Sequence, residues 1–254
     1  MHIDSQCYMC EDVSTSREHI PPRCLFPEMK DSDGVDYRKE LITVPSCELH
    51  NIKKSKDDEF LLICLSRLFE ANHIGFKLGS GKVHRSLKRK PHLIDSVFKR
   101  KLTASYDYED GKIDLTVGTP DVDRLIGCFE KIFYGIHRHH FGKNFPGKIK
   151  VLMGFLKHAS KDTTYMQNFL ETRAAEDLSG KPIFGSNPDV FSFQFTAPDT
   201  DGIFLCKTTY YGNISVYGAF AEKEPTNLLS LLMGSGIPVI VNHKGKQVVF
   251  NKKS

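Results

Sequence analysis

Cys7-Tyr-Met-Cys10, Ser16-Arg-Glu-His19-Ile-Pro-Pro22, Cys47-Glu-Leu-His50-Asn51 and Lys54-Ser-Lys-Asp57-Asp58 follow one another within the first sixty residues. Their spacing decides how the N-terminal part folds. Cys-x-x-Cys and Cys-x-x-His each place two ligands on one turn, and two such half-sites can close on a single ion. Thiolate and imidazole donors in tetrahedral array mark zinc, so Cys7, Cys10, Cys47 and His50 form the expected quartet. The segment is loop-rich with little core of its own and needs such a staple to fold. With four protein ligands the zinc is structural and keeps no open position for a substrate. Four cysteines are the commoner set at this spacing, which makes Cys24 the alternative to His50. The neighbours of Cys24, a Pro-Arg pair and Leu-Phe-Pro, read instead as ordinary packing of a small hydrophobe. Cys64, Cys128 and Cys206 stand singly in apolar runs and are expected in the core.

Working outward, residues 15–20 read as a brief strand stopped by Pro21-Pro22. Residues 30–39 form a polar loop. Glu40-Leu-Ile-Thr-Val44 is β-branched and apolar, a strand that runs through Pro45 into Cys47. A helical start over 47–54 completes a strand–strand–helix unit, and 57–72 reads as a longer helix with Phe60, Ile63, Leu65, Leu68 and Phe69 on its apolar face. Residues 75–101 are punctuated by Gly and Ser and carry nine Lys or Arg, the pattern of a hinge or connector. Beyond it the spacing predicts a hairpin over 102–117, an amphipathic helix from Asp121 to about His140, and a strand near 148–156. A short helix near 161–176, strands near 190–196, 202–209 and 213–220, a helix near 225–233 and a hairpin around His243-Lys-Gly245 complete the chain.

The chain has 254 residues, 40% hydrophobic and 26% charged, enough apolar material for a sizeable core. Phe, with 18 copies, supplies the aromatic bulk in the absence of Trp. A net charge of +4 permits a nucleic-acid partner without requiring one. No apolar run approaches the roughly 18 residues of a membrane span, and the N-terminal residues lack a signal-peptide pattern. A cytoplasmic setting is expected, where close-spaced cysteines are read as metal ligands rather than disulfides.

Cys-x-x-Cys, then Glu18-His19-Ile20-Pro21-Pro22, then Leu41-Ile42-Thr43-Val44-Pro45-Ser46-Cys47 and His50-Asn51, resembles the HNH endonucleases, most of all their bacterial branch. The match covers about residues 5–65. The resemblance implies a ββα-metal fold in which a hairpin and a helix clamp a divalent cation. It places His19 at the position of the general base, able to take a proton from water beside a scissile phosphate. Glu18 and Asn51 fall on positions that bind the catalytic cation, for which oxygen ligands suit Mg²⁺ or Mn²⁺. Glu18 stands where Asp is usual, so it binds the ion directly, through water, or only orients His19. The last acidic position is either Asp57 or Asp58, with Asp58 preferred. Lys54, Lys56, Arg85, Lys88, Arg89 and Lys90 are candidates for phosphate contact.

The expected architecture is α+β: an N-terminal zinc-stapled ββα-metal (HNH) module over 1–74, a basic connector over 75–101, and a larger antiparallel α+β domain over 102–254 for recognition or regulation. The expected activity is cation-dependent hydrolysis of DNA phosphodiester bonds. The alternatives are a zinc-stapled nucleic-acid-binding module without catalysis, or a sensor whose C-terminal domain binds a small ligand or peptide. DNA is the expected partner and a membrane is not. A homodimer and a regulator of the C-terminal domain stay open. The His137-Arg138-His139-His140 run reads as exposed polar surface, because helix neighbours point in different directions. Tyr210-Tyr211 read as strand residues of a core or edge.

Overall fold

The structure is a computed structural model that describes residues 6–52, 55–108, 111–156, 161–223, 239–243 and 245–250. In chain order the elements are β1 (Ser16–His19), β2 (Thr43–Ser46), α1 (Glu48–Ile52), α2 (Ser55–Ser66), α3 (His73–Leu78), α4 (His84–Arg89) and α5 (Leu93–Val97). There follow β3 (Phe98–Tyr108), β4 (Gly111–Pro120), α6 (Val122–Phe141), β5 (Lys148–Met153), α7 (Lys161–Leu178) and β6 (Phe184–Asn187). The last are β7 (Phe191–Phe195), β8 (Phe204–Tyr210), β9 (Ile214–Ala221), β10 (Val239–His243) and β11 (Lys246–Phe250). Helices and strands are mixed, as in an α+β protein. No helix among the described residues is long and apolar enough to cross a membrane.

Two compact units share the chain: Met1–Asn144 with Phe184–Ser192 and Thr209–Ile214, and Phe145–Ile183 with Phe193–Thr208 and Ser215–Ser254. The first therefore runs past residues 74 and 101, where the sequence reading placed ends. In it β1 pairs antiparallel with β2, from Ser16 opposite Ser46 to His19 opposite Thr43. The second strand is thus shifted from 40–44 to 43–46, because only those residues face β1; Ile42 contributes a single further bond, from Ile20 N (3.0 Å). Helix α6 packs on β2 and α2. Its stripe of Leu125, Phe129, Ile132, Phe133 and Ile136 is buried at helical spacing. Gly135 lets the hairpin approach: a Cβ there would lie 2.5 Å from Ile20.

Asp121 caps α6 by accepting from Arg124 N (3.1 Å), and left-handed Gly142 (φ 73°) ends it. His137 corrects the expectation of an exposed histidine run. It is 4% exposed, and its Nδ1 lies 3.0 Å from Lys143 O. It falls four residues after Phe133, on the buried stripe, while His139 and His140 face outward. Tyr210 and Tyr211 are core residues, and Tyr211 Oη donates to Leu25 O (2.8 Å).

The expected connector is mostly helical. Helix α3, a π-turn over Gly79–Val83 and α4 run on without a break from His73 to Arg89. The helix read over 57–72 ends at Ser66, since Asn72 caps α3 by accepting from Ile74 N and Gly75 N. The hairpin read over 102–117 is the β3–β4 pair.

A five-stranded sheet in the order β5-β9-β8-β7-β6 follows, with β5 antiparallel to β9. Strand β6 has no counterpart in the sequence reading. The core of the second unit is built from Phe rings. Phe204 stacks on Phe220 (4.8 Å) and Phe145 meets Phe220 edge-on (5.0 Å). The helix expected near 225–233 lies outside the described residues.

Candidate metal centre and hairpin face

The loop that carries Cys7 and Cys10 is short and is closed by Cys7 N donating to Asp12 O (2.9 Å) and by a bridge between Gln6 and Val13. Tyr8 N donates to Pro45 O (3.0 Å), which lays the loop against β2. Cys47 directly follows that strand, and α1 brings His50 back beside it. The four donor atoms lie within 4.8 Å of one another. Cys10 Sγ is 3.8 Å from Cys47 Sγ, and His50 Nδ1 is 3.5, 3.6 and 3.2 Å from the sulfurs of Cys7, Cys10 and Cys47. A tetrahedral zinc with Zn–S near 2.3 Å and Zn–N near 2.0 Å requires S···S of about 3.8 Å and S···N of about 3.5 Å. The quartet fits that ion through Nδ1, and it is the only such group of His, Cys, Asp or Glu among the described residues. Cys24 is not part of it; its thiol donates to Asp58 O (3.3 Å). Cys64, Cys128 and Cys206 are buried, as expected.

Burial, then the Asp12 carboxylate and the neighbouring thiols, pushes the Cys10 thiol up to about 12, against a favourable backbone N–H of Asp12. Cys7 goes the other way. Burial opposes its thiolate, but hydrogen bonds from the backbones of Met9 and Cys47 and from adjacent thiols outweigh it and hold the group below its ordinary value. A bound dication removes the conflict by ionising its ligands outright.

Glu18 is 3% exposed. Tyr8 Oη donates to its Oε1 (3.0 Å) and Ser46 Oγ to its Oε2 (3.3 Å). Asn51 Nδ2 donates to Ser16 Oγ (2.8 Å), which itself donates to Ser46 O (3.2 Å). Glu18 and Asn51 are thus joined to one polar network that begins between Cys7 and Cys10, at Tyr8. Burial and the Glu18 carboxylate push the Tyr8 phenol far up, so it remains a donor. Sequence reasoning missed Tyr8, Ser16 and Ser46. For Ser46 a signal existed: it shares a strand face with Val44, and a polar residue on a buried face needs a partner. Tyr8→Phe keeps the ring and removes the donor. It is expected to cost about 1.5–3 kcal/mol, the range for a hydrogen bond to a charged group. Denaturation of the zinc-loaded variant measures this, and an unchanged midpoint would remove Tyr8 from the network.

Strand residues alternate in direction, so His19 and Arg17 occupy the face opposite Glu18. His19 is half-buried and Arg17 exposed. The Arg17 guanidinium donates from Nε to Thr43 Oγ1 (3.0 Å) and from Nη2 to Thr43 O (3.0 Å), and Thr43 is the residue opposite His19. The hairpin therefore places a cation beside the candidate base, which the sequence reading did not anticipate.

Asp57 and Asp58 stand in the first turn of α2. Asp57 is taken by α6: Arg124 Nε donates to Oδ1 (2.9 Å) and Lys131 Nζ to Oδ2 (3.1 Å). Arg124 also covers the Phe60 ring at 4.3 Å. Burial opposes the Asp57 carboxylate, but these two cations hold it below its ordinary range. Its contribution to stability is therefore present above the usual carboxylate value of about 3.9 and is lost as pH falls through the lower folded value. Asp57→Asn should destabilise by about 1–3 kcal/mol at neutral pH. The gap to the wild type should close in acid, read from denaturation midpoints against pH; a gap independent of pH would contradict this.

Glu18, Asp57, Asp58, Cys128 and Lys131 line a narrow cleft with room for about one water molecule. Lys56 is exposed, as are Arg85, Lys88, Arg89 and Lys90; Lys54 lies outside the described residues. Comparison with known proteins gives no match: no family model, curated protein or solved structure is similar to the chain.

Proposed function

We propose that the N-terminal unit is an HNH-type endonuclease module that hydrolyses DNA phosphodiester bonds, with His19 as general base. The observation that carries the reading is the hairpin register, which sets His19 and Arg17 on one face while Glu18 and its hydrogen-bond partners occupy the other. In the proposed reaction His19 takes the proton of a water whose oxygen attacks phosphorus, the bond from phosphorus to the leaving 3′ oxygen breaks, and that oxygen takes a proton from solvent. Arg17 offers a phosphate contact beside the base.

The implied Mg²⁺ or Mn²⁺ set fits less well. Glu18 gives both oxygens to Tyr8 and Ser46 and faces away from His19, so it acts as a positioning residue. Asn51 turns its amide nitrogen to Ser16, and Asp58 shares a cleft wall with Glu18 rather than the His19 face. No step is therefore assigned to the cation.

Nicking of supercoiled plasmid by purified protein with Mg²⁺ or Mn²⁺, with EDTA as control and bound zinc followed, tests the reading. Relaxed or linear product supports it. The burial of Glu18 favours one rival, a zinc-stapled nucleic-acid-binding module without catalysis. Salt-dependent DNA retention with no nicking under any metal would establish that rival and sink the nuclease.

A further inference from the structure

The continuous helix from His73 to Arg89 is held by its small residues. A Cβ on Gly75 would meet the Tyr211 ring at 2.7 Å, and one on Gly79 would strike Ser66 O. Ile74, Leu78 and Val83 are buried beside them. The opposite side, with Phe76, Lys77, Ser80, His84, Arg85 and Lys88, is exposed. From 71 to 94 the sequence has six Lys or Arg and no Asp or Glu. Two of these cations are matched by an adjacent turn, Lys77 with Asp33 (2.6 Å) and Arg85 with Asp31 (3.4 Å). Lys88, Arg89 and Lys90, at the helix end, have no ion pair among the described residues. Phe76 is 70% exposed on the same helix.

Resting on the nuclease reading, we infer that this helix is a docking platform for a single-stranded nucleic-acid segment, with Lys88, Arg89 and Lys90 on phosphates and Phe76 stacked on an unpaired base. Charge complementarity selects a polyanion. The apolar side of the helix is spent on the protein core, and one exposed Phe is not the apolar face that a membrane-surface helix requires. At 1.5 Å per residue Phe76 and Lys88 lie about 18 Å apart along the helix, a span of a few nucleotides, and an exposed aromatic on the same track as cations is the combination that holds single strands.

The test is fluorescence anisotropy of a labelled oligonucleotide, single-stranded or duplex, against the full-length His19→Ala protein over a series of salt concentrations. Lys88→Glu/Arg89→Glu/Lys90→Glu should weaken single-strand binding at least tenfold. It should also flatten the slope of log affinity against log salt by about 2, at roughly 0.7 per phosphate contact. Phe76→Ala should weaken single-strand binding about tenfold and duplex binding far less. Unchanged affinity and slope in the triple variant would overturn the platform, as would binding confined to anionic lipid vesicles. Equal losses on both oligonucleotides for Phe76→Ala would overturn the stacking. The two readings fail separately: no cleavage by wild type with the triple variant's binding lost sinks the nuclease alone, whereas cleavage with that binding intact sinks the platform alone.

Discussion

Cys47→Ser is expected to release the zinc and to lower the melting temperature by roughly 10–20 °C. Four atoms within 4.8 Å, two of them cysteine sulfurs 3.8 Å apart, are packed at the separations a tetrahedral zinc imposes. Structural zinc contributes about 10–16 kcal/mol in small zinc-stapled peptides. Here part of the first unit has a core of its own, so only some of that is lost. A loss of about 5 kcal/mol, at roughly 2–4 °C per kcal/mol, gives the expected shift. Cys24→Ser is the control and should keep one zinc per chain. His50→Cys should also keep it, since four cysteines satisfy the same geometry. Cys47→Ser with a full zinc content and an unchanged melting temperature would show that the quartet does not bind the ion.

His19→Ala is the second large effect, and it should be of the opposite kind. The side chain lies half-buried at the end of β1. Its loss should therefore leave zinc content and melting temperature within a few degrees of the wild type. Cleavage should fall about 10²- to 10⁴-fold, the usual contribution of a positioned acid or base. In the wild type the rate should rise with pH, because only the neutral ring accepts the proton. The variant should lack that rise. Equal cleavage by the two proteins would take His19 out of the chemistry and return the module to a binding role.

The metal quartet was legible because its information is local: two pairs at fixed spacing, with a strand and one helical turn between knuckle and ligand. Even the choice of His50 over Cys24 follows from position, since His50 lies on the helix that starts directly after Cys47. The burial of Glu18 was not local. It depends on Tyr8 and Ser46, ten and twenty-eight residues away in sequence, and a motif that names Glu18 beside His19 hides that the two residues face opposite ways. His137 could have been found, since it continues the Phe129–Phe133 stripe by one more turn. Gly75 and Gly79 misled the reading toward a hinge. Their lack of a side chain serves close approach to Tyr211 and Ser66 and makes the segment a packed helix. The shift of the second strand was set by pairing with β1, which no property of residues 40–46 alone reveals.

The central claim is that the chemistry takes place on the His19–Arg17 face of the hairpin. The most direct measurement is a crystal structure of the full-length His19→Ala protein with an uncleaved oligonucleotide and Mn²⁺, with anomalous data at the zinc and manganese edges. The account predicts zinc at Cys7, Cys10, Cys47 and His50, and a backbone phosphate on the His19 face within reach of Arg17. A phosphate lodged instead against Glu18 and Asp58, or DNA bound with no phosphate near residue 19, would contradict it.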